Sequence, residues 1–170
     1  MNKKAEYYIS KLQLKPHPEG GYFKEVYRSG EIFEAEHLPG RYIGNRAFST
    51  SIYFLLEGGQ VSNFHRIKSD ELWHFYDGSA VKIYVIEEDG VMRYTSLGSN
   101  LEDGEALQAV IKKNSWFAAE LKDKNSFCLI GCTVSPGFNF DDFELGSRES
   151  LIKQFPDYSE VIKKLTKFTH

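Results

Sequence analysis

The middle of the chain is a run of short segments rich in β-branched and aromatic residues: YFKEVYRS, FSTSIYFLL, QVSNFHRI, ELWHFYDG, AVKIYVIEE, GVMRYTSL, LQAVIKK, SWFAAEL and SFCLIGCTV. What separates them is turn chemistry: Glu57-Gly58-Gly59, Asp77-Gly78, Asp89-Gly90, Gly98-Ser99-Asn100 and Asp103-Gly104. Short strands at regular spacing, joined by glycine- and asparagine-rich turns, make a sandwich or barrel. No helical segment intervenes between Tyr42 and Val134, which excludes a parallel βαβ architecture. The expected class is therefore all-β.

Helical periodicity is confined to the two ends. Ala5, Tyr8, Ile9 and Leu12 recur at helical spacing within Lys3 to Leu14, and Pro16 and Pro18 close that helix. Past Val134, Ser147 is placed to cap a short helix through Leu151 and Ile152. Asp157 and Glu160 form a capping-box pattern ahead of Val161, Ile162 and Leu165. A chain of 170 residues, 41% of them hydrophobic, suits one globular domain over 1–170. Its β core is expected over about 20–145 and its C-terminal helices over about 147–167. Residues 31–46 give no periodic signal and are expected to form a long loop near the barrel mouth.

A net charge of −3, with Lys163, Lys164 and Lys167 as the sole basic cluster, offers nothing for nucleic acid. No apolar run approaches a membrane span, and MNKKAEYYISKLQLKPHPEGG lacks the apolar block of a signal peptide. The cytoplasm is the expected location. Cys128 and Cys132 stand four apart on one strand, on the same face but too distant to be bridged, so buried free thiols are expected.

The stretch GQVSNFHRIKSDELWHFYDG places Gly59, His65, Glu71 and Gly78 on a signature motif of the cupin barrels, G-x5-H-x-H-x3-E-x6-G, with Ile67 at the second histidine. Together with HPEGGYFKEVYRS and SPGFNFDDFELGSRESLIKQFPDYSEVIKKL, it makes the chain resemble the cupin-5 subfamily from about His17 onward. That resemblance implies a cupin-type double-stranded β-helix, a jelly-roll barrel with short N- and C-terminal helices, paired as a homodimer. It implies no agreed activity. In the best register of the second cupin motif, Ala106 and Lys112 take its first glycine and its proline. Asn114, tolerant of the left-handed conformation, takes a glycine position, and Phe117 falls where the motif's histidine ligand would stand.

Cupin metals are commonly held by three histidines and a carboxylate, and His65 and Glu71 alone match. Strand alternation puts Glu71, Trp73 and Phe75 on one face and His74 on the other, so His74 points away unless a bulge intervenes; the metal-dependent alternative takes it as a third ligand beside His65 and Glu71. No metal cofactor is expected; the weaker alternative is a divalent ion at His65 and Glu71. Without a metal, an imidazole beside a carboxylate is a general acid/base pair: His65 as acid or base, Glu71 as its orienter, and Tyr53 or Tyr84 as a second donor across the barrel. Trp73, Phe75, Tyr84, Trp116, Phe117 and Tyr22 are the candidate ligand-binding wall. Glu19-Gly20-Gly21 reads as a tight turn, and the acidic run Asp141, Asp142 and Glu144 as a loop over the mouth or on the surface. The expected function is small-molecule binding, of a sugar-like or other small polar metabolite. Metal-free isomerisation or epimerisation is its expected chemistry if the protein is an enzyme. The alternatives are a metal-dependent cupin enzyme and a non-enzymatic ligand-binding or storage module.

Overall fold

A computed structural model describes residues 2–167. Helix α1, Lys3–Leu12, starts at Asn2, whose side chain accepts from the Lys4 and Ala5 amides. It ends at Gln13, which adopts a left-handed conformation. The strands follow in order: β1 Lys15–Pro16, β2 Tyr22–Arg28, β3 Ile32–Phe33, β4 Arg46–Ala47, β5 Thr50–Glu57, β6 Val61–Arg66, β7 Asp70–Gly78, β8 Val81–Ile86, β9 Met92–Leu97, β10 Gln108–Ile111, β11 Trp116–Leu121, β12 Phe127–Ser135 and β13 Glu144–Leu145. Helices α2, Arg148–Gln154, and α3, Ser159–Lys164, close the chain. Each of the segments read as strands from the sequence is one.

The strands form a jelly roll of two facing sheets, ordered β1-β2-β5-β12-β7-β10 and β13-β6-β11-β8-β9, with β3-β4 as a separate pair. All neighbours within the two sheets are antiparallel. Alternation sends one face of every strand into the space between the sheets. Phe54, Trp73, Cys128, Ile130 and Cys132 from the first sheet meet Val81, Ile83, Phe117 and Leu121 from the second. Burying each large side chain stabilises by about 1.5–3 kcal/mol. Both cysteines are free and buried.

The outer faces are covered by the helices. Helix α1 packs Ala5 against Leu55, Phe127 and Leu129 behind the first sheet. Leu151, Ile162 and Leu165 from the C-terminal segment pack against Phe64, Tyr84 and Trp116 behind the second. Ser147 caps α2. The capping box at Asp157 and Glu160 is not formed: Pro156–Tyr158 is a 3-10 turn, and α3 begins after it without a side-chain cap. Pro156 fixes that turn, so the backbone donors a box would satisfy are not presented.

Candidate functional site

A cavity of about 320 Å³ opens between the sheets. Its wall follows from strand parity. Thr50, Ile52 and Phe54 come from β5, His65 from β6, Glu71 and Trp73 from β7, and Cys132 and Val134 from β12; each set is one face of its strand. Ile67 follows β6 and fills the wall beside His65. Phe138, Asn139, Phe140 and Phe143, from the segment between β12 and β13, form the remaining side. The buried Arg46 locks that segment in place: its Nε and a terminal nitrogen each donate to Asp142 at 2.7 Å. Arg46 thus ends the unreadable stretch 31–46 in a structural role.

The carboxylate that meets His65 is Glu19. Gly20 (φ +118°) lets the chain turn there; a Cβ at that position would collide with the Val61 carbonyl. The Asn63 backbone N–H donates to the Glu19 carbonyl at 2.9 Å, and the Asn63 side chain donates to it as well. Glu19 is thereby turned inward. Its Oε1 accepts from Ser62 Oγ at 2.7 Å, while Oε2 lies 3.0 Å from His65 Nε2 and 3.3 Å from His17 Nδ1. One carboxylate oxygen therefore lies between two imidazoles, and His17 Nδ1 also accepts from the Glu19 backbone N–H at 3.4 Å.

The other ring nitrogen of His65, Nδ1, lies 2.7 Å from the Asn63 carbonyl. A carbonyl only accepts, so Nδ1 carries a proton; Nε2, 3.0 Å from Glu19 Oε2, is the nitrogen left to gain or lose a second one. Burial works against the Glu19 charge, but His65, His17 and Ser62 together hold its carboxyl below the usual range. Glu19 is therefore the ionised partner of the pair. Burial pushes the His65 imidazolium down despite the opposing pull of Glu19 and the Asn63 carbonyl. An imidazolium weakened in this way gives up its proton readily, which suits an acid/base group.

Glu71 is in the opposite condition. Burial first, and then the neighbouring Glu19 charge, push its carboxyl up to about 8, so it is neutral at pH 7. The Cys132 thiol and the Trp73 indole N–H lie beside it and favour the ionised form, without outweighing burial. The Trp73 N–H is close to the carboxyl but not in hydrogen-bonding geometry: Nε1 is buried with no partner among the described residues.

The structure brings His65, Glu71 and Trp73 to the cavity and adds His17 and Glu19, which sequence reasoning did not select. The place expected for Glu71, as orienter of His65, is taken by Glu19. Phe117 backs the cavity, its ring 4.0 Å from that of His65. Other expected site residues lie elsewhere. Tyr53 faces outward from β5 and packs near α1 and Tyr76. Tyr22 lies in the same outer cluster, and its neighbour Phe23 takes the cavity side. Tyr84 and Trp116 are on the outer face of the second sheet, Tyr84 donating to Glu120 at 2.8 Å and Trp116 lying under Arg66. Phe75 packs against the core outside the cavity wall. For the tyrosines and Trp116 the parity of the strand decides the matter; Phe75 shares the inner face with Trp73 and lies two residues further along β7. His74 points away from the cavity, 3.2 Å from Thr133 Oγ1.

A metal at the cupin position does not fit this donor set. Ile67 and Phe117 have no lone pair to give and fill their places with buried hydrocarbon. Both nitrogens of His65 are engaged by Asn63 and Glu19, and Glu71 keeps its proton at pH 7. Among the described residues, no group of three or more His, Cys, Asp or Glu is arranged to hold a metal ion.

The family profile described as Cupin superfamily (DUF985) matches residues 6–146. An uncharacterized protein of Saccharomyces cerevisiae, YML079W, is 30% identical over 154 residues, which are 85% of this chain and 76% of that protein. Among solved structures, protein SO0799 from Shewanella oneidensis is 38% identical with a TM-score of 0.88, covering 99% of this chain and 100% of its own. A hypothetical protein from Leishmania major is 34% identical with a TM-score of 0.85, covering 96% and 99%. Oxalate decarboxylase from Bacillus subtilis, at 15% identity and a TM-score of 0.55, shares the fold over 88% of this chain and 36% of its own length.

Proposed function

The chain belongs to the DUF985 family of the cupin superfamily, and from that premise we propose that it binds a small polar metabolite in the cavity and moves a proton on it without a metal. The observation that carries this is the Glu19–His65 axis: a buried imidazole and an ionised carboxylate meet at 3.0 Å on the wall of a cavity sized for a small ligand. His65 is the proton-transferring group. Glu19 orients it and balances the charge it gains on taking up a proton, with His17 beside the same carboxylate oxygen. Isomerisation or epimerisation is the reaction class that needs only such a shuttle.

The assembly that fits is a homodimer. Leu72, Val110 and Tyr76 leave apolar surface exposed on the outer face of the first sheet, where no helix among the described residues covers them.

A metabolite panel screened by thermal shift tests the binding; a ligand at a hundred times its Kd stabilises by about 2.7 kcal/mol. Each stabilising compound is then followed by proton NMR in D₂O. We expect deuterium to enter one carbon-bound position with the wild type, and Glu19→Gln and His65→Gln to slow this by at least about a hundredfold. A ligand that stabilises the protein but never exchanges would make it a non-enzymatic binding module. Activity that appears only with added metal would move the chemistry to the metal-dependent alternative.

A further inference from the structure

The wall opposite the Glu19–His65 pair carries a donor with nothing to donate to. Trp73 is 1% exposed and lines the cavity, yet its indole N–H has no acceptor among the described residues. Buried polar groups are almost always paired, and leaving one unpaired costs stability. Packing alone does not account for an indole here, because a phenylalanine would offer an aromatic face to Phe54 and Phe117 without the orphan N–H.

We propose that Trp73 is the specificity-determining residue of the cavity, and that its N–H receives the carbonyl oxygen of a small neutral carbonyl compound. This rests on the proton-transfer function above and names its substrate class. The acceptor is a carbonyl rather than a carboxylate because burial and the Glu19 charge already keep Glu71, beside the indole, from ionising, and a ligand carboxylate there would meet the same penalty. Arg28, in the same lining, is paired with Glu25, whereas a neutral oxygen needs no counter-charge. Glu71, neutral at pH 7, supplies a second donor beside the indole. The carbonyl also explains the proton shuttle. With its oxygen held by hydrogen bonds, the adjacent C–H becomes acidic. The C–H bond breaks and its electron pair forms the C=C of an enol; Nε2 of His65 accepts the proton from carbon, and the carbonyl oxygen takes the proton of the neutral Glu71. Returning a proton to either carbon completes an isomerisation with no oxidant or reductant.

The chain has two tryptophans, so the indole region of a ¹H–¹⁵N spectrum holds one signal for Trp73 and one for Trp116, assigned with Trp73→Phe. Trp116 lies on the outer face of the other sheet and serves as the internal control. The probes are dihydroxyacetone, glycerol, which keeps the carbon skeleton but lacks the carbonyl, and glycerate, which carries a carboxylate. Dihydroxyacetone is expected to shift the Trp73 signal downfield and saturably while Trp116 stays still. Glycerol should leave it in place, and glycerate should bind at least about tenfold more weakly. Trp73→Phe should weaken dihydroxyacetone binding by about tenfold. A Trp73 signal unmoved by dihydroxyacetone, or moved equally by glycerol or glycerate, overturns the assignment even if Trp73→Phe does not fold, because the wild type carries the readout. Such a result leaves the Glu19–His65 chemistry standing. Loss of proton exchange in the His65 and Glu19 variants is tested separately, and failure there leaves the Trp73 result standing.

Discussion

Glu71 holds its proton to about pH 8 in the folded protein, against an ordinary value of 4.5. Between those two values the unfolded chain has lost the proton and the folded one has kept it. The folded state therefore binds more protons, and stability falls as pH rises through that window. Glu71→Gln mimics the neutral acid and should remove the slope. Urea unfolding at about pH 5 and about pH 8 should show the wild type losing stability between them and the variant losing clearly less. Glu19 works in the opposite sense: its lowered value adds stability above the ordinary carboxylate range, which is lost as pH falls through the folded value. The sequence made some of these residues legible and not others. His65 and Glu71 were fixed by motif spacing, and Trp73 by alternation from Glu71. His17 and Glu19 sit on a turn, where no period assigns a direction, so their inward orientation depends on Gly20 and Asn63. Tyr53 was misplaced because no anchored residue on β5 fixed which parity faces in.

Among the elements, the segment carrying Phe138, Asn139, Phe140 and Phe143 is held over the cavity by Arg46 and Asp142, both nearly inaccessible to solvent. Removing one partner of a buried ion pair strands the other, at about 3–5 kcal/mol. Lys68, 3.5 Å from Asp142, offsets part of that. Arg46→Met should therefore lower stability by about 3 kcal/mol, measured by urea unfolding, and weaken any ligand the cavity holds. The C-terminal helix α3 is tied to β11 in a similar way, with Glu120 accepting from Lys164 and also from Lys124 and Tyr84. Burial opposes the Glu120 charge, but these partners bring it down to about 2. Their contribution is present above the ordinary value and lost as pH falls through about 2, so Glu120→Gln should speed amide exchange in α3 at neutral pH. Strand segments were readable because alternation and turn residues agree there. The boundaries of α3 were not, because a 3-10 turn at Pro156 and a capping box make the same demand on sequence.

At the scale of the whole molecule, the uncovered apolar row on the first sheet should pair with a second copy. Light scattering should return about twice the 19.5 kDa chain mass, and Val110→Lys should shift it towards the monomer. A sandwich or barrel was legible from the spacing of turns, since closing two sheets over one core needs little more than parity and length; the jelly roll in particular came from the cupin resemblance. Which chemistry the barrel retains was not legible, because it depends on what comes to face His65 from a distant turn. The central claim is that the Glu19–His65 pair moves a proton at the position where a cupin metal would stand. A long-range ¹H–¹⁵N spectrum of the histidine rings, assigned with His65→Gln, followed from neutral pH downward and repeated after adding Zn²⁺, tests this most directly. The account expects Nδ1 of His65 to stay protonated, Nε2 to take up its proton only below the ordinary imidazole range, and neither to move with the metal. An Nε2 that shifts on binding stoichiometric Zn²⁺ would contradict it.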